Sequence, residues 1–293
     1  MSKKFQIING FQGEVKVFNA LTDLPIADIA SGVPFVNSLQ ERKPQDLDIL
    51  LTLKRFSIPT TDFRMEIIFA IQVKSSTAGW LIDTGFDEMT NYPKNNRDYF
   101  YMTPERFRGA FDREGYGEVF YLKLISGLYG RTPLMHTGWQ LFEDGKDGQA
   151  GVLKDRTGQR DEPIYRGAIN ALGFAIEKYH TTLNDCGDEK NEEEFNSIRW
   201  IIPVVVLDGA LYGRDFKKEI KGNEIEPEPI EDKWFVRYMW LLKKGSNENY
   251  NYEMSPVFYV KSEDVKEFIE YIKQQVENYN ADETLTDFKK RIN

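Results

Sequence analysis

Residues 65–74 read MEIIFAIQVK, a run that is apolar on both faces through its middle and then ends on Gln72, one spacer and Lys74. Such a run fits an interior strand covered by helices. A period of two puts Gln72 and Lys74 on one face. A lysine there is costly to hide and unnecessary for packing. Working outward, residues 46–53, DLDILLTL, alternate as a strand, with Leu47, Ile49, Leu51 and Leu53 on one side and Asp46 and Asp48 on the other. Between the two runs KRFSIPTTDF, residues 54–63, is polar-tipped and carries Pro59, as a loop does. Strands this close in sequence default to an antiparallel hairpin. With the turn centred on Thr60, residues whose numbers sum to about 120 face each other, so Asp48 lies opposite Gln72 and Asp46 opposite Lys74. A slip of one residue would undo that pairing.

The rest of the chain alternates helices and strands. Phe11, Val15, Phe18 and Leu21 recur at helical spacing and predict a helix over 11–24, ended by Pro25. Residues 75–162 carry many Gly, Tyr, Phe and Arg with short apolar pieces, and 80–160 is read as an insertion or subdomain. A helix is expected over 163–179, its small residues Gly167, Ala168, Ala171, Gly173 and Ala175 allowing close approach to a sheet. The acidic NDCGDEKNEEE, residues 184–194, reads as solvated surface. WIIPVVVLDG, residues 200–209, reads as an interior strand closed by an Asp208-Gly209 turn. Two further strands are expected at 234–242 and 255–260. Ser262 is then expected to cap a last helix, with Glu263 and Asp264 in its first turn and Val265, Phe268, Ile269, Ile272 and Val276 as its apolar stripe. The expectation is a single α/β domain over 1–293: a central mixed β-sheet flanked by helices, a long insertion and a C-terminal strand-helix extension.

Composition narrows the function. With 293 residues, 41% apolar and 14% aromatic, the chain can bury a substantial core. A net charge of −9 gives no general attraction to nucleic acid or anionic membrane, though a local basic groove stays open. One cysteine permits no internal disulfide, and a cytoplasmic location is the expectation. With only two histidines beside it, zinc sites built from Cys and His are nearly excluded. The N-terminus lacks a signal-peptide core, no apolar run reaches bilayer length, and no membrane partner is expected.

An acid opening one strand, then an amide, one spacer and a lysine closing the next, can hold a hard divalent cation and act on water. DLDILL and IQVKSS resemble the signature of the PD-(D/E)XK, restriction endonuclease-like nuclease superfamily, in the Gln-x-Lys form of Mrr-like restriction enzymes. The resemblance covers 11–74 and 163–209 and implies an αβββαβ core. It implies metal-dependent hydrolysis of DNA phosphodiesters, in a restriction or defence setting, with Mg²⁺ or Mn²⁺ as cofactor, DNA as partner and homodimerisation as an option. Carried over by position, Asp48, Gln72 and the Val73 carbonyl hold the metal, Lys74 acts on the water, and Glu14 of FQGEVKVFNAL supplies the acid of the first helix. The family's Pro-Asp pair is missing, Pro44 standing two residues before Asp46.

Other readings stand beside this one. A catalytically inactive relative would keep the fold as a binding or assembly module. Asp83-Thr84-Gly85 resembles the aspartic-protease tripeptide, which occurs once here and so would need a dimer. Arg97, Arg106, Arg108 and Arg113, interleaved with aromatics, offer nucleic-acid contacts diluted by neighbouring acids. His136 and His180 have no motif around them.

Overall fold

The structure is a computed structural model. It describes residues 9–24, 27–37, 39–40, 43–53, 56–57, 64–84, 132–135, 138–140, 163–184, 197–215, 228–244 and 250–277. Arg97, Arg106, Arg108, Arg113, His136 and most of the expected insertion and acidic loop lie outside the described residues.

The main sheet is mixed and is flanked by helices on both faces. Its strands are β1 (Ala27–Asn37), β2 (Lys43–Leu53), β3 (Phe56–Ser57), β4 (Arg64–Ser75), β7 (Ser197–Asp208), β10 (Trp234–Lys244) and β11 (Tyr250–Lys261). They run in the order β1-β2-β4-β7-β11-β10, with β3 beside β4. β1, β2 and β4 are antiparallel in succession, while β4, β7 and β11 are parallel neighbours. Helix α1 (Asn9–Thr22) and helix α3 (Val265–Glu277) cover one face, where Val17 and Leu21 of α1 and Phe268 and Ile272 of α3 pack on Ile49, Phe69, Ile71 and Val204. Helix α2 (Pro163–Asn184) covers the other through Phe174 and Ala175 on Ala70 and Ile201. Each fully buried Val, Leu, Ile or Phe among these contributes about 1.5–3 kcal/mol. No described helix is long and apolar enough to cross a membrane.

β4 and β7 leave the main sheet together and continue as β5 (Trp80–Thr84) and β8 (Leu211–Asp215), again a parallel pair. With β6 (Gly138–Gln140) and β9 (Glu228–Pro229) these form a second sheet in the order β6-β5-β8-β9. The crossing needs two glycines at positive φ. A Cβ on Gly79 (φ +96) would meet the Ala210 carbonyl at 2.5 Å, and one on Gly209 (φ +131) the Ser76 carbonyl at 2.4 Å. The start of the expected insertion is therefore woven into this sheet.

Three expectations need correction. Phe11 and Val15 do not face the core: they are 56% and 41% exposed, and α1 buries Val17 and Leu21 instead. On a 3.6-residue helix Phe11 lies about 120° and Val15 about 160° from Val17, so the sequence pattern marked the helix but not its inner face. Ser262 does not cap α3. Its hydroxyl turns to Asp208, and Asp264, whose carbonyl accepts from Phe268 N–H, sits at the cap position. Edge strand β1 forms on residues to which the sequence pattern assigned no strand.

Candidate active site

β2 and β4 stay paired from Thr52–Ile68 to Ile49–Ile71, the register expected for a turn centred on Thr60, and then part. The apolar set of β2 changes sides at the same point. Ile49, Leu51 and Leu53 join the cluster under α1 and α3, whereas Leu47 joins the cluster under α2. Asp48 is the residue between. Gly32, at φ +59, stands across from it, between the Ser31–Ile49 and Val33–Leu47 pairs of β1 and β2. A positive φ here is affordable only to glycine without strain.

Where the ladder stops, side chains take over. Asp48 Oδ2 accepts from Val73 N–H at 2.6 Å, and Asp48 Oδ1 accepts from Gln72 Nε2 at 3.2 Å. The other Nε2 hydrogen goes to the Asp46 carbonyl at 2.9 Å. Lys74 Nζ donates to Gln72 Oε1 at 3.2 Å. Gln72 is 1% exposed with both ends of its amide satisfied. Asp46 contributes its carbonyl, while its side chain is exposed and β2 no longer pairs with β4 there. The expected Asp46–Lys74 pairing is thus replaced by a backbone contact.

Lys74 leaves the sheet on the α2 side. Its stem lies along Gly167, where an added Cβ would come within 3.0 Å of Cε and 3.4 Å of Cγ. Helix α1 brings the fourth group. Gly13 sits against Ser75 and Asp208, at the ends of β4 and β7, and the next residue, Glu14, lies within reach of the Asp48 and Lys74 charges. Burial pushes the Glu14 carboxyl above its ordinary value, the Asp48 charge pushes it further, and Lys74 opposes both. Burial likewise raises Asp48, against the lowering pull of Lys74, the Val73 N–H and Gln72. Two partly desolvated carboxyls therefore share one ammonium, a balance that an added cation would relieve.

A donor set of Asp48, an amide oxygen and the Val73 carbonyl, with Glu14 as the nearby second acid, is all hard oxygen, which suits Mg²⁺ or Mn²⁺ and not zinc. Among the described residues no group of three His, Cys, Asp or Glu side chains gathers, so two acids plus an amide are the whole side-chain offer. Each Asp48 oxygen already accepts one hydrogen bond and retains a second lone pair.

Asp83 is set apart from this cluster. Its side chain is 1% exposed and is held by Arg214 of the neighbouring parallel strand, at 2.6 Å from Nη2 and 2.7 Å from Nε. Both contacts fall on one carboxylate oxygen, so Asp83 is engaged in an ion pair within its own sheet.

A further cluster lies at the ends of β4, β7 and β11. Lys16 Nζ donates to Asp208 Oδ1 at 2.6 Å and to Ser262 Oγ at 3.1 Å, and Ser262 Oγ donates to the same Asp208 oxygen at 2.8 Å. Ser75 Oγ reaches Asp208 Oδ2 at 3.5 Å. Burial alone would raise Asp208, but the hydrogen bonds from Lys16 and Ser262, with the Lys16 charge and Ser75, bring it below its ordinary value. These partners are 192 and 54 residues apart in the chain, and only the Asp208-Gly209 turn was visible locally.

Comparison with family models, with curated proteins and with solved structures returned no match for this chain.

Proposed function

We propose that this chain is a metal-dependent phosphodiesterase that hydrolyses DNA, built on a restriction endonuclease-like αβββαβ core. The observation that carries the reading is the meeting of Asp48, Gln72 and Lys74 through direct hydrogen bonds, with Glu14 close enough for its charge to act on two of them. The element order α1, β1, β2, β4, α2, β7 supports it, as does the antiparallel-then-parallel pairing of those strands.

Asp48, Gln72 Oε1 and the Val73 carbonyl are the atoms that would hold Mg²⁺ or Mn²⁺. When bound, such an ion polarises a phosphoryl oxygen and lowers the pKa of a coordinated water. The chain's own groups supply the rest. Lys74 spends one N–H on Gln72 and keeps two to orient an attacking water or to offset charge on the phosphoryl oxygens. As the water oxygen bonds to phosphorus, the bond from phosphorus to the leaving sugar oxygen breaks. Glu14, its carboxyl raised by burial, is the group placed to take the proton that the water gives up, and the leaving oxygen is protonated from solvent.

One observation favours a second reading, a non-catalytic binding or assembly module of the same fold. Gln72 and both oxygens of Asp48 are already satisfied within the protein. A cleavage assay separates the two. Plasmid, linear duplex and single-stranded DNA are incubated with Mg²⁺ or Mn²⁺ and with wild type or Lys74→Ala. The nuclease reading expects cleavage by wild type and a loss of about 100-fold or more in the variant. No cleavage by either protein on any DNA form supports the binding module.

A further inference from the structure

Helix α1 lies across the strand ends with its buried stripe between two polar flanks. Glu14 is on one flank; Gln12 and Lys16, one turn apart, are on the other. That second flank borders a cavity of about 550 Å³ at the carboxyl ends of β4, β7 and β11, where Ser75, Thr77, Lys261 and Ser262 also line it. This is the end of a parallel sheet at which α/β proteins bind ligands.

The hydrogen-bond inventory of the cavity leans one way. Asp208 is its main inner acceptor, and its oxygens are taken up by Lys16, Ser262 and Ser75. Glu263 is the other acid and stands exposed at the rim. Lys16 spends two of its three N–H on Asp208 and Ser262 and keeps one. Lys261 donates to the Ile230 carbonyl at 3.0 Å and keeps two. The hydroxyl of Thr77 and the amide of Gln12 add further donors. What remains unspent is mostly N–H and O–H, carried by two ammonium groups, and Asp208 fixes one of these in place. A tetrahedral oxyanion of a phosphodiester matches such a set.

We infer that this cavity is a second phosphate subsite, which seats a backbone phosphate of the DNA strand neighbouring the one placed at Asp48 and Lys74, with Lys16 and Lys261 as its charged donors. The inference rests on the nuclease reading and adds to it where the strand runs: over the ends of β4, β7 and β11. Ser75, the residue after Lys74, joins the two places.

The test is binding without divalent metal. A fluorescent oligonucleotide is titrated at several salt concentrations with wild type, Lys261→Gln and Lys16→Gln/Lys261→Gln. Thermal melting confirms that each is folded. Lys261→Gln leaves the Lys16–Asp208–Ser262 contacts untouched, so it reads the subsite even if the double variant does not fold. The inference expects a several-fold loss of affinity in each variant. It also expects a salt slope flatter by about one unit in the double variant, as for one lost phosphate contact. Unchanged affinity and slope, with DNA still cleaved by wild type, overturn the subsite and leave the nuclease reading standing. Saturable binding of a free 5′-mononucleotide without DNA binding assigns the cavity to a small ligand and also overturns it. Absence of both DNA binding and cleavage removes the two readings together.

Discussion

Replacing Gln72 by glutamate turns the amide of the cluster into a second acid between Asp48 and Lys74. In the protein both Nε2 hydrogens are in use, to the Asp46 carbonyl at 2.9 Å and to Asp48 Oδ1 at 3.2 Å. Gln72→Glu replaces that donor by an oxygen and leaves two acceptors facing an acceptor, at about 1–3 kcal/mol for each buried group left unpaired. Two carboxylates at such a separation repel by about 5 kcal/mol at an effective dielectric constant near 20, and Lys74 offsets part of this. The new carboxyl escapes the rest by keeping its proton, so its folded pKa lies above its unfolded one. The penalty is then absent below the unfolded pKa and grows as pH rises toward the folded value. Without metal the variant is expected to be about 2–4 kcal/mol less stable than wild type at neutral pH, with a smaller gap at pH 4. A cation between the acids removes the repulsion, so saturating Mg²⁺ should raise the variant's Tm by about 5–10 °C more than it raises that of wild type. Thermal melts at pH 4 and pH 7.5, with chelator or with Mg²⁺, read all four conditions. Equal stability without metal, and equal shifts on adding it, would refute the reasoning.

Gly167→Ala separates placement from chemistry. The added Cβ comes within 3.0 Å of Lys74 Cε and 3.3 Å of Val205 Cγ1, so the flexible lysine yields a few tenths of an ångström. Helix propensity gains up to about 1 kcal/mol in return. Melting should change by less than about 1 kcal/mol, while cleavage falls about tenfold, since misplacement by 1 Å can cost about 100-fold. The pH dependence of wild type gives a second test. Asp48 and Glu14 both have raised folded pKa values, so metal-free stability should drop as pH climbs from the usual carboxylate range through them. Mg²⁺ should flatten that slope in a denaturant series; a slope unaltered by metal goes against a shared cation. Arg214→Ala removes the guanidinium that holds the buried Asp83 carboxylate and should cost about 3–5 kcal/mol by urea unfolding, with the specific activity of the folded fraction unchanged.

The hairpin was legible because its signals are local. Alternation in 46–53 and the continuous apolar run in 65–74 fixed two strands, and the short turn fixed a register that the Ile49–Ile71 pair bears out. Asp48 beside Gln72 follows from that arithmetic alone. Edge strand β1 was not legible, because Gly32 and Pro34 interrupt it and most of its residues are exposed, so no alternation marks it. The inner face of α1 was misjudged because its outer face also carries Phe11 and Val15. The second sheet consists of strands of two to five residues, too short for any periodicity. The Lys16–Asp208–Ser262 cluster joins the ends of three elements that only the fold brings together. Gly167 reads in sequence as a small residue for packing, and only the structure shows that the group packed against it is the stem of Lys74.

The central claim is that Asp48, Gln72 and Val73 offer a divalent cation a place to bind. Titrating Mn²⁺ by electron paramagnetic resonance into wild type, Asp48→Asn and Lys74→Ala addresses it without reference to any substrate. The account expects one bound ion in wild type, affinity reduced at least tenfold in Asp48→Asn, and affinity retained or increased in Lys74→Ala, where a competing positive charge is gone. Identical titrations for wild type and folded Asp48→Asn would contradict it.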